Sequence, residues 1–139
     1  MKNKAFLPLL EQLCMILIFA IAAAFCLQGF ATAARLSEWQ EKKDHAVLVA
    51  QNAAETLKHT AGDFQAAADV YGGTYEDAVW QILYDTDWHC TSNAENTAYV
   101  LQAVKAESDD AMLGIAEISV RQENELLFTL TVGWQEAEA

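Results

Sequence analysis

Residues 7–27 read LPLLEQLCMILIFAIAAAFCL, an apolar run interrupted by one carboxylate, Glu11, and nothing beyond Pro8 breaks its continuation into the segment that follows. As a helix rising about 1.5 Å per residue, roughly 20 apolar residues span the roughly 30 Å hydrocarbon core of a bilayer. Membrane lipid is therefore the expected surrounding of residues 7–29, and a chain built on such a run has one helix whose position is fixed before any tertiary contact forms.

Glu11 demands a physical account, because an ionisable group in a membrane segment costs about 2.5–3.5 kcal/mol near the bilayer centre. It lies near one end of the run. Its carboxylate can snorkel to the interface, or it can meet a positive charge on a neighbouring subunit. Both readings stay open on position alone.

The 139 residues leave room for one membrane segment and one outer domain of about a hundred residues. The formal charge of −12 is unevenly spread: Lys2 and Lys4 precede the apolar run, whereas from His59 onward only Lys105 and Arg121 oppose fifteen Asp and Glu. The positive-inside rule places the N-terminus in the cytoplasm and the acidic body, residues 30–139, outside. A body so acidic is repelled by phosphate, so nucleic acid is not an expected partner of this chain alone. Cys14 and Cys26 sit in the apolar run and Cys90 lies alone beyond it, which gives no disulfide framework.

A removable secretory signal is the competing account of the N-terminus. Lys2 and Lys4 resemble its basic start and Ala31-Thr32-Ala33 fits a cleavage site, which predicts a mature chain beginning near Ala34. The run is longer than the usual apolar core of about 7–15 residues and contains Glu11, which argues against that account. A lipid anchor at Cys26 is disfavoured by the bulky Phe25 before it.

Beyond residue 30 the pattern becomes one-sided. Leu36, Trp39, Ala46, Val47, Ala50, Ala53, Ala54 and Leu57 recur at helical spacing, with Glu38, Glu41, Lys42, Asp44, Glu55 and Lys58 mostly away from that stripe. Pairs such as Glu38 with Lys42 add about 0.2–0.5 kcal/mol of local support. The helix is expected to reach about residue 61, with Gly62 its first stop and Gly72-Gly73 a firm one.

A short second helix is expected over residues 74–84, capped by Thr74, with Asp77 in the first turn and Ala78, Val79, Ile82 and Leu83 facing inward. The segment from Asp85 to Cys90 reads as a loop or short edge strand. Strands are expected at about 97–105, 115–121 and 126–134. The last is the clearest, since Leu126, Phe128, Leu130, Val132 and Trp134 alternate with Leu127, Thr129, Thr131 and Gly133. Residues 122–125 make a polar hairpin turn between the final two. A small antiparallel sheet with one apolar face needs a cover, and the long helix is the element available, so the fold class is α+β.

An N-terminal helix that is apolar and then amphipathic, an early glutamate and a C-terminal antiparallel sheet together resemble the type IV pilin and type II secretion pseudopilin family. The best local match is LPLLEQLCMILIFA, similar to that family's apolar start, and AVLVAQNAAETLK, residues 46–58, resembles the following segment of minor, PilV-like or I-type members. The resemblance implies a prepilin peptidase that removes a short basic leader, here residues 1–6, and a pairing of Glu11 with a neighbouring subunit's new N-terminal amine during filament assembly. Other pilin or pseudopilin subunits and an assembly platform protein are the implied partners. The leader departs from the family pattern. A cut that makes Glu11 fifth falls between Phe6 and Leu7, with a bulky residue before it and Pro8 second, whereas a cut between Ala5 and Phe6 makes Glu11 sixth.

Other chemistry is thinly represented. Asp85, Asp87, His89 and Cys90 lie close together, but an adjacent His-Cys pair lacks the usual ligand spacing and no second cluster accompanies it, so an acidic loop without metal is expected. Asp109-Asp110 reads as a solvated turn. With no nucleophile motif, no phosphate loop and dispersed His45, His59 and His89, neither catalysis nor a cofactor is expected. Trp80, Trp88 and Trp134 are expected as core or rim aromatics. The alternative function is a single-pass, membrane-anchored outer domain that binds a partner without polymerising.

Overall fold

Helix α1 runs unbroken from Phe6 to His59 in the computed structural model, which describes residues 4–136. The chain forms two compact units, Met1–Gln40 and Glu41–Ala139. In the first, every described residue is exposed, including Leu9, Leu13, Ile16, Phe19, Phe25 and Phe30. This part of α1 is long and apolar enough to cross a membrane. Leu36 and Trp39, expected on the buried stripe, are instead 52% and 45% exposed. Only from Ala46 onward does the helix bury a face.

In the second unit that face consists of Ala46, Val49, Ala50, Ala53, Ala54 and Leu57, spaced by three and four residues as one side of a helix requires. It is alanine-rich, so the bulk of the core comes from the other elements. Helix α1 closes with a Schellman turn: Ala61 is left-handed at φ 50°, the Gly62 N–H donates to the Leu57 carbonyl at 2.8 Å, and the Ala61 N–H donates to Lys58 at 3.2 Å. A second helix, α2 (Phe64–Tyr71), starts at once, its N-cap Asp63 accepting from the Ala66 N–H at 3.0 Å. It buries Phe64, Ala67 and Ala68.

Five strands follow: β1 (Thr74–Glu76), β2 (Val79–Tyr84), β3 (Tyr99–Ala106), β4 (Leu113–Gln122) and β5 (Glu125–Gln135). They form one antiparallel meander in the order β1-β2-β3-β4-β5. The stretch 74–84, expected as a helix, is therefore a hairpin. Trp80, Ile82 and Tyr84 are buried while Val79, Gln81 and Leu83 are half-buried, a period of two that overrides the cap chemistry of Thr74 and Asp77. Asp77 and Ala78 supply the turn, both at positive φ (50° and 63°), as a two-residue type I′ connection demands.

The three later strands fall close to where expected: β4 and β5 run one or two residues further at both ends, whereas β3 starts two residues later and ends one later than the expected 97–105. Inner-face rows cross the sheet: Ile82 pairs with Leu101, Leu101 with Val120, and Val120 with Phe128; Trp80, Ala103, Ile118 and Leu130 form the next row. A bulge between Val120 and Arg121 places Leu127 as the extra residue of β5. That shift buries Leu127 and leaves Leu126 48% exposed, so Leu126 does not share the inner face with Phe128 as the plain alternation predicted. Glu123 and Asn124 make the β4–β5 turn, with Glu123 at φ 53°.

Helix α1, α2 and the sheet share one core, in which Trp80, Leu57, Ile82, Leu101, Ile118 and Val120 are the largest fully buried side chains. Trp134 closes one end of it. Its indole fills the space where Gly62 and Gly114 would carry side chains: a Cβ at either would stand 2.1 or 2.3 Å from the ring. Phe64 meets the same indole edge-on at 6.3 Å.

Candidate functional site

Glu11 stands on α1 in the first unit, an exposed carboxylate whose neighbours on the same helix side, Leu7, Pro8, Cys14 and Met15, carry no charge. No cation among the described residues pairs with it. Phe6 and Leu7 open the helix, and Ala5 lies in the turn before it. Pro8 falls within the first turn, where its missing N–H breaks no helical hydrogen bond. The segment carrying the expected leader junction thus passes directly into helix, with the carboxylate less than two turns beyond. Lys2, in the expected basic leader, lies outside the described residues.

The loop after β2 is held by Asp85. Its Oδ1 accepts from the Asp87 and His89 backbone N–H groups, both at 2.9 Å, and lies 3.8 Å from His89 Nδ1. Ligand atoms of Asp85, Asp87 and His89 fall within 4.8 Å of one another, while Cys90 stands outside that group and bridges to Tyr84 through the backbone. Two backbone donors already occupy the Asp85 oxygen, and Asp87 and His89 are exposed. The geometry is that of a self-capped turn. Asp110 acts the same way before β4, its Oδ1 accepting from the Met112 N–H at 2.9 Å.

That turn presents Trp88, at φ 63°, to the body of the domain. Trp88 stacks on Tyr99 of β3 and on His45 of α1, with Tyr84 tilted against it at 6.0 Å. Trp88, expected only as a core or rim aromatic, is thus a clamp between a helix and a strand, a role that no periodicity marks in a loop residue. Tyr84 itself is buried, and its hydroxyl finds no hydrogen-bond partner among the described residues. Burial pushes its phenol well above the usual range, and neighbouring Tyr71 and Cys90 act in the same direction.

The remaining surface is acidic and grooved. One groove of about 560 Å³ runs between the outer edge of β5 and α1, lined by Gln51, Asn52, Glu55, Lys58, Leu130 and Val132 among others. Another, of about 540 Å³, lies near the Lys105–Glu136 ion pair, which closes at 2.7 Å.

No family model matches the chain, and neither a curated protein nor a solved structure is found similar to it. What the coordinates carry is architectural: a long N-terminal apolar helix packed on a C-terminal antiparallel sheet, which is a pilin-like arrangement.

Proposed function

We propose that this chain is a minor pilin or pseudopilin, a non-enzymatic subunit that assembles through its N-terminal helix into a type IV pilus-like, type II secretion-like or competence-type filament. The observation that supports the reading is α1 itself: one continuous helix whose first part exposes apolar residues around Glu11, which has no cationic partner among the described residues, and whose last part roofs a meander sheet. In this reading the N-terminus faces the cytoplasm and the acidic domain lies outside the membrane. Residues around Ala5, Phe6 and Leu7 form the junction cut by a prepilin peptidase, and Glu11 meets the new amine of an adjacent subunit. A carboxylate in apolar surroundings is tolerable when a cation meets it, and the cost of an unmet charge selects the register in which helices pack.

Glu11→Ala tests this in membranes of cells that make the full chain. The expected result is retained membrane insertion with loss of cross-linking between this subunit and its filament neighbours. Unchanged cross-linking, or a wild-type chain that never cross-links, overturns the reading in favour of an anchored domain that does not polymerise. Sequencing the N-terminus of the membrane-bound chain separates the cases further: a start at Phe6 or Leu7 agrees with processing, and a start near Ala34 identifies a removed signal.

A further inference from the structure

The long strand at one end of the sheet has no neighbour on its outer side among the described residues. β5 pairs only with β4, and no backbone group of Glu125–Gln135 hydrogen-bonds elsewhere among the described residues. In an antiparallel strand alternate residues aim both N–H and C=O to the same side, so about half of residues 128–135 present them to the open edge. The opposite edge is guarded by brevity, since β1 has three residues. β5 has no such guard: beyond the Leu127 bulge it runs regularly to Gln135 with no proline, no lysine and no inward charge.

The side chains along this edge are also incompletely covered. Phe128 and Leu130 point to the inner face yet remain half-buried, whereas their cross-strand partners Val120 and Ile118 are fully buried. The uncovered flank opens on the groove lined by Gln51 and Asn52 of α1. On the outer face Thr129 and Thr131 are exposed, β-favouring side chains; Thr129 donates to Glu117 of β4 at 3.5 Å, and among the described residues neither has a strand neighbour on the open side.

We propose that residues 128–135 of β5 receive one extended segment of another polypeptide, apolar at alternate positions and bearing Lys or Arg at the end that lies beside Glu123 and Glu125. The alternation follows from Phe128 and Leu130, which an added strand's inward apolar side chains would cover. The basic end follows from charge: Glu123 and Glu125 flank one end of the edge, and neither is ion-paired among the described residues, whereas Glu136 at the other end is paired with Lys105. A second copy of the same edge brings the same acidic flank and the same formal charge of −12, which disfavours self-pairing. The proposal does not depend on filament formation, since it uses only the sheet and the C-terminal part of α1.

Hydrogen exchange on the full chain in detergent micelles tests it with two synthetic probes: an alternating Val-Thr peptide of seven residues with Lys-Lys at both ends, and the same peptide with Glu-Glu. The Lys-flanked probe is expected to slow exchange across residues 128–135 and to bind about tenfold more tightly than the Glu-flanked one. The paired variant Thr129→Lys with Thr131→Lys, on the outer face and remote from the core, is expected to weaken binding by about tenfold with an unchanged thermal midpoint. No protection by either probe, equal protection by both, or protection centred on another strand overturns the proposal. Concentration-dependent protection of β5 without peptide overturns it in favour of a second copy as the occupant.

Discussion

Trp88 lies flat against Tyr99, ring centroids 3.9 Å apart and planes 9° from parallel. His45 stacks on the same indole at 5.5 Å, so a loop residue ties α1 to β3. Trp88→Ala is expected to lower domain stability by about 2–3 kcal/mol, and His45→Ala by no more than about 1 kcal/mol, in urea unfolding followed by near-ultraviolet circular dichroism. The double variant should fall short of the sum, because the pair interaction is lost only once.

The packing of Trp134 predicts a contrast among glycines. Gly114→Ala drives a methyl group into the indole and is expected to cost about 1–3 kcal/mol in thermal unfolding. Gly62→Ala meets the same ring and adds the strain of a positive φ, about 1 kcal/mol more. Gly29→Ala, with nothing within 4 Å of the new Cβ, is the control and should be neutral or slightly favourable in the isolated chain.

Ala78 occupies a left-handed position in the β1–β2 turn. Ala78→Gly creates the Asp-Gly pair that type I′ turns prefer and is expected to raise stability by about 1 kcal/mol, read as an upward shift of the urea midpoint with an unchanged slope.

Tyr84→Phe removes a buried hydroxyl that finds no partner among the described residues and should stabilise the domain by about 1–2 kcal/mol at neutral pH. The folded chain holds the Tyr84 proton where the unfolded chain releases it, from about the ordinary phenol value of 10.0 upward. Stability from this group is whole below that pH and falls above it, by about 1.4 kcal/mol per pH unit. The Phe variant should therefore lose less stability than the wild type between pH 10 and 11.

Residues that repeat with a clean period were legible before any coordinates. Ala46, Ala50, Ala53 and Leu57 marked the buried helix face, and Val132 and Trp134 marked the inner sheet, because burial on one side leaves its period in the chain. The hairpin over 74–84 has the local signature of a helix, because Thr74 and Asp77 imitate a helix start and its turn lacks glycine. Leu36 and Trp39 continue the helical spacing past the point where anything covers it. Glu11 was conspicuous as the carboxylate in an apolar run, whereas the Trp88 clamp and the open β5 edge depend on which elements become neighbours, which no local pattern encodes.

The alanine-rich underside of α1 has a mechanical corollary. A surface of methyl groups offers few teeth to the sheet beneath it, so axial sliding meets little steric resistance along the middle of the contact. The index marks sit at its two extremities, His45 against Trp88 and Gly62 against Trp134, about 25 Å apart along a helix of that length. Pull on this rod would be carried by those two detents and by the fully buried Leu57 between them, so loosening one end shifts the load onto the other.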